Sequence, residues 1–309
     1  MSRFNSSVFF VLLVCMFLLS LLFASYQTGI LWITILFVIL STSAIFSSIK
    51  ILSVQAFGVE WKEYPKAIMA VVVGAMLTFY LAKNGMSAVL ASSLVGIVGS
   101  LLFKRYEIEI FTGSFVGMCS VLLFTYTGII FASLIASIVY LMGKNVFVGI
   151  GGKLGSSAFI GTLLVALFVG VDVWNLDIAL INTSLPLWFL VTALLFSALA
   201  SVATSKFAQR YFKGSVVLSS SVVGILGYIL SLAFGTYSGL FAGTIFAASF
   251  AGMSQIKVLK NPRYFAIAGL MTAMIFLASS TYFLGLGGKM GTSAFIGVLA
   301  TLILIKNTR

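Results

Sequence analysis

The sequence predicts an all-α polytopic membrane protein of about 12 transmembrane helices, built as two N-terminal helices plus a five-helix inverted-topology repeat. Three observations predict it. First, the 309 residues are 61% hydrophobic and only 8% charged, with mean hydropathy +1.20; a soluble domain carries about 25% charged residues. Second, the cations fall almost entirely on one side of an alternating topology. Third, the chain writes "GGKLGSSAFIG" at 151–161 and "GGKMGTSAFIG" at 287–297, with nine of the eleven positions identical.

A membrane helix needs about 20 apolar residues. Runs of that kind lie at roughly 8–25, 30–49, 67–82, 87–103, 110–125, 128–143, 155–171, 186–204, 215–233, 238–256, 264–284 and 291–306. With a cytoplasmic N-terminus, alternation puts all but Lys83 and Lys289 of the 18 Lys and Arg residues on the inner side, as the positive-inside rule requires. That bias accounts for the net charge of +12 without a nucleic-acid partner. Asp172 and Asp177 fall in the longest outer loop, and Trp174 and Trp188 suit an interfacial aromatic belt. The first run, with Arg3 before it and small residues near Ala24, shares features with a signal peptide. Its length favours an uncleaved anchor. The expected organisation is therefore 1–52 as a two-helix addition, 67–171 as repeat 1 and 186–309 as repeat 2. Short loops and the charge bias suit a bacterial cytoplasmic (inner) membrane with both termini cytoplasmic.

More than the GGK stretch recurs. "SAVLASSLVGIVG" at 87–99 pairs with "SVVLSSSVVGILG" at 215–227, and "TGSFVG" at 112–117 pairs with "SGLFAG" at 238–243. Each half holds five predicted helices. Five is odd, so the two copies enter the membrane from opposite sides, with Lys153 inside and Lys289 outside. Inverted repeats commonly place a substrate path at their interface near the midplane. Two five-helix inverted halves with Gly-rich breaks resemble the general plan of urea transporters. The Pro- and Thr-containing signature of that family is absent, and the prolines are Pro65, Pro186 and Pro262.

Composition removes most chemistry. There is no His, so His-based catalysis and His–metal sites are excluded. Cys15 and Cys119 lie in apolar runs without metal-ligand spacing. No P-loop, GxSxG or HExxH is present. No carboxylate falls mid-span, which disfavours proton or cation coupling; Glu107 and Glu109 in "YEIEI" are expected in a cytoplasmic connection. The chain is expected to be no enzyme and to hold no cofactor or metal.

The GGK stretches are the candidate site. Gly151, Gly152 and Gly155, and likewise Gly287, Gly288 and Gly291, predict a break before a new helix. Ser156 or Ser157, and Thr292 or Ser293, are expected as its caps. Free backbone N–H groups at a helix start, with Lys153 or Lys289 beside them, form an anion-attracting element. The same glycines also allow close helix packing, and the lysines can snorkel. Phe115 and Phe241 are candidate constrictions on short re-entrant helices opened near Thr112–Ser114 and Tyr237–Gly239. Ser92, Ser93, Ser220 and Ser221 either line a polar path or bond to their own helix. The expected function is a channel or transporter moving a small anion or neutral polar solute through the repeat interface. The expected partners are the lipid bilayer, that solute and a possible second copy of the chain. The alternative is a membrane subunit of envelope machinery, or a lipid-phosphate carrier without an aqueous pore.

Overall fold

The computed structural model describes residue 38 and residues 64–145, 147–170, 185–280 and 282–306. The predicted spans 8–25 and 30–49, and most of the long loop after 171, lie outside the described residues. Within them all regular structure is helical.

The first half contains α1 (Tyr64–Lys83), α2 (Ala88–Leu102), α3 (Glu107–Gly117), α4 (Tyr126–Met142) and α5 (Lys153–Val169). The second contains α6 (Leu187–Arg210), α7 (Val216–Ser231), α8 (Ser238–Gly252), α9 (Pro262–Ala278) and α10 (Lys289–Lys306). Helix starts follow local chemistry. Ser87 and Ser215 accept from the backbone N–H groups of Leu90 and Leu218 at the starts of α2 and α7. Asn261 caps α9 through the N–H groups of Arg263 and Tyr264, with Pro262 as its first residue.

Three helical runs among the described residues are long and apolar enough to cross a membrane: Tyr64–Lys83, Leu187–Arg210 and Val216–Gly252. The last joins α7 to α8 through a 3-10 segment, Leu232–Tyr237, and Gly235 breaks it at φ 53°, ψ −120°. The structure corrects two expected boundaries. The run at 110–125 is not one helix, because α3 stops at Gly117. Glu107 and Glu109 are not in a connection; they form the first turn of α3, where carboxylates face the positive helix end. Glu109 is buried and accepts from the Tyr140 hydroxyl at 3.0 Å.

Packing repeats between the halves. α1 lies against α3 and α4, α2 against α3, and α5 against α3 and α4; the corresponding pairs among α6–α10 make the same contacts. The halves meet mainly through α2 against α7 and α5 against α10. Matched close approaches fix the register. Gly117 backs onto Ala75 and Thr78, as Gly252 backs onto Ser201 and Thr204. Small residues at these crossings let backbones touch, which maximises dispersion contact between helices.

Candidate functional site

Between α4 and α5 the chain breaks, and it breaks again between α9 and α10. Gly152 and Gly288 sit at φ 84° and φ 83°, a left-handed conformation that costs a residue with a Cβ about 1–2 kcal/mol. The lysine that follows each one reaches back. Lys153 Nζ donates to the carbonyls of Gly143 and Lys144 at 3.0 and 3.1 Å. Lys289 Nζ donates to those of Ser279, Ser280 and Tyr282 at 2.9, 3.3 and 2.8 Å. These carbonyls lie at or just past the ends of α4 and α9, where the last C=O groups have no helical partner and a cation is favoured. An ammonium has three donors, so every proton of the buried Lys289 goes to the backbone.

The expected hydroxyl caps are corrected. α5 is capped by Gly152, with no side-chain bond. Ser156, Ser157, Thr292 and Ser293 instead lie inside the first turns. They donate to the carbonyls four residues earlier, at 3.3, 3.3, 3.3 and 3.1 Å.

The two GGK stretches touch. Gly152 packs on the backbone of Gly291, Ala294 and Phe295, Gly155 packs on Gly291, and Gly288 packs on Gly155 and Phe159. The partners advance in opposite order along the two helices, so α5 and α10 run antiparallel through their first two turns. A Cβ on Gly155 would stand 2.6 Å from Gly291 Cα. Gly151 N–H donates to Ser254 Oγ at 2.9 Å, and Gly287 N–H to Cys119 Sγ at 3.2 Å. Thr162 Oγ1 donates to the Gly287 carbonyl at 2.9 Å. Gly151 also abuts the carbonyls of Phe250 and Ala251, and Gly287 those of Phe115 and Val116. The C-terminal ends of α8 and α3 thus meet the starts of α5 and α10, negative dipole end to positive.

Two strained residues clasp this joint. Phe147 and Phe283 both adopt φ 53°, at about 1–2 kcal/mol each. Each buried ring packs edge-to-face across the halves, Phe147 on Phe295 at 5.1 Å and Phe283 on Phe159 at 5.3 Å.

Beside the GGK joint stands a cluster of four buried rings: Phe111 and Phe115 of α3, Phe246 and Phe250 of α8. Centroids lie 4.5 Å apart within each helix pair and 4.7–6.5 Å apart between helices. Such offset and edge-on pairs are mutually stabilising. Phe115 is therefore partnered by Phe250 and not by Phe241. Phe241 belongs to a separate cluster with Phe189, Phe196 and Phe234, stacking on Phe234 at 3.9 Å. The Gly-x-Phe-x-Gly alignment had the wrong register. The signal that finds the right one is "IFTGSFVG" at 110–117 against "IFAASFAG" at 245–252. It places Cys119 opposite Ser254, which are the two groups holding the GGK glycines.

The serine helices complete the interface. Ser92 shares a hydrogen bond with Ser114 at 2.8 Å, and Ser220 with Ser249 at 2.7 Å. Ser93 and Ser221 are fully buried and their hydroxyls have no hydrogen-bond partner among the described residues. Ser221 Oγ lies over Gly96 beside the Phe111 ring, and Ser93 Oγ lies over Gly224 beside the Phe246 ring. Two equivalent orphan hydroxyls thus face the aromatic cluster where α2 meets α7. No protein-family model, curated protein or solved structure matches the chain.

Proposed function

We propose that the chain is a membrane channel or transporter that passes a small, uncharged polar solute between two five-helix halves of inverted topology. The orphan pair Ser93 and Ser221 carries this reading. A buried hydroxyl without a partner costs about 1–3 kcal/mol, and here the cost recurs at equivalent positions. A solute that both donates and accepts supplies the missing partner. The rings of Phe111, Phe115, Phe246 and Phe250 flank it, forming a surface that a neutral molecule crosses far more cheaply than an ion, whose desolvation costs much more.

The lysines favour the neutral solute over the anion. Lys289 has given its protons to three carbonyls, and the N–H groups of Gly151 and Gly287 are already bonded. Gly151, Gly152, Gly155, Gly287, Gly288 and Gly291 act as the scaffold that brings the halves together. The antiparallel α5–α10 contact, the odd helix count and the charge bias all support inversion. Of the roughly 12 helices, α3 spans only about 17 Å at 1.5 Å per residue, and the non-helical stretch 118–125 completes its crossing, which keeps the count odd. The bacterial inner membrane, with cytoplasmic termini, is the setting this topology implies.

Solute uptake by proteoliposomes tests the proposal, with urea, glycerol, formate, nitrate and phosphate as the panel. Flux of a neutral solute that falls in Ser93→Ala/Ser221→Ala and rises in Phe111→Ala/Phe246→Ala is expected. Anion flux that depends on Lys153 and Lys289 would restore the anion path. No flux of any solute would sink both and favour a membrane-complex subunit.

A further inference from the structure

The two halves differ at one corner, and the difference opens a pocket. In the first half, the end of α1 and the start of α4 are closed by aromatic packing. Phe79 and Tyr126 meet edge-to-face at 5.3 Å, and Lys83 Nζ sits 4.7 Å over the Tyr126 ring. The register set by the glycine contacts maps Phe79 to Ser205 and Tyr126 to Pro262. It maps Tyr80 to Lys206, Lys83 to Gln209 and Asn84 to Arg210. Two large rings thus become Ser and Pro, and two cations gather where the first half has Tyr and Asn.

The result is a cavity of about 120 Å³ between α6 and the start of α9. One wall is the stripe Ser205, Lys206, Gln209 and Arg210, and the other is Ile256, Pro262 and Phe265. Among the described residues the lining contains no carboxylate. The side chains of Lys206 and Arg210 are exposed and make no hydrogen bond or ion pair with any described residue. Ser205 Oγ accepts from Gln209 Nε2 at 2.9 Å, which leaves its own proton to donate.

We infer that this pocket binds the phosphate group of an anionic lipid. Arg210 presents a fork suited to two phosphate oxygens and Lys206 a point charge, with the Ser205 hydroxyl as a third donor. The apolar wall takes the ester carbons, which inorganic phosphate lacks. This site lies away from the solute path and does not rest on it.

The test is binding of dihexanoyl phosphatidylglycerol to the detergent-purified full chain, with inorganic phosphate as competitor. Lys206→Gln/Arg210→Gln should weaken binding at least about tenfold, since hydrogen bonds to charged groups contribute that much each. Ser205→Phe, which restores the first half's ring and keeps both cations, should weaken it similarly while the thermal midpoint shows the protein folded. Lys257→Gln/Lys260→Gln removes the same charge from exposed positions outside the pocket and should leave binding within about twofold. An equal loss in that control would reduce the effect to surface potential and overturn the site. So would unchanged binding in either pocket variant. Inorganic phosphate displacing the lipid at equal concentration would overturn the lipid assignment.

Discussion

Replacing Gly155 with Ala attacks the joint between the halves at its tightest point. The new Cβ would stand 2.6 Å from Gly291 Cα and 3.2 Å from the Gly288 carbonyl oxygen. Carbon atoms in contact sit about 3.5–4.0 Å apart, so α5 and α10 must separate by about 1 Å. The opposing atoms are backbone and cannot rotate away. Overpacking of this kind costs about 1–3 kcal/mol, and the gain from Ala over Gly in a helix returns at most about 1 kcal/mol. A net loss of about 1–2 kcal/mol is expected. Gly291→Ala brings a Cβ within 2.5 Å of Gly155 Cα, and the separation that either change forces relieves the other, so the double variant should lose less than the sum of the two. Gly239 is the control: it is helical and no described residue lies within 4 Å of its added Cβ, so Gly239→Ala should be neutral or gain up to about 1 kcal/mol. The assay is the thermal unfolding midpoint in detergent. A Gly155→Ala protein as stable as the wild type, with Gly239→Ala behaving as expected, would refute the backbone contact between the GGK stretches.

Other variants probe the remaining parts. Lys289→Met removes the buried ammonium shared by the carbonyls of Ser279, Ser280 and Tyr282, although Ser279 keeps the Tyr282 N–H at 3.0 Å; a hydrogen bond to a charged group contributes about 1.5–3 kcal/mol, so the midpoint should fall while solute selectivity in the flux assay stays unchanged. Cys119→Ser copies the role that Ser254 has in the other half, so stability should hold within about 1 kcal/mol in the same melt. Tyr140→Phe removes the donor to the buried Glu109 carboxylate, and a loss of about 1–3 kcal/mol is expected by denaturation. Burial holds the Glu107 carboxyl above the ordinary glutamate range, with the Ser215 hydrogen bond and Lys104 pulling it partway back. The folded state then binds that proton more tightly than the unfolded chain, so stability falls as pH rises from the ordinary glutamate pKa through the raised folded value. Glu107→Gln should remove that slope from a midpoint series across pH.

Most helix positions were legible because lipid-length apolar runs and glycine breaks are local signals. The GGK break, the serine helices and the lysines' equivalence could all be read from repeated strings. What escaped depends on partners distant in sequence. Glu109 looks like a loop residue until Tyr140, on another helix, satisfies it. The lysines read as free charges because their acceptors are bare carbonyls, which leave no mark on residue type. Ser156 and Thr292 look like caps, yet the left-handed turn at Gly152 and Gly288 moves each helix start upstream of them. The phenylalanine register failed for another reason. Gly-x-Phe-x-Gly is a short pattern that recurs by composition in a chain with 29 Gly and 29 Phe. The longer match around Phe111 and Phe246 lacks one of those glycines, because Ala248 stands where the first half has Gly113.

The proposed solute path requires two halves of opposite orientation, and sided labelling tests that most directly. Asn84 and Arg210 are exposed and occupy equivalent places just beyond α1 and at the end of α6. Each is changed singly to Cys in a chain with Cys15 and Cys119 replaced by Ser, and sealed right-side-out vesicles are treated with a membrane-impermeant maleimide. Inversion predicts that Asn84→Cys reacts from outside and that Arg210→Cys reacts only after the vesicles are opened. Both positions reacting from the same side would contradict inversion and, with it, the solute path between the halves.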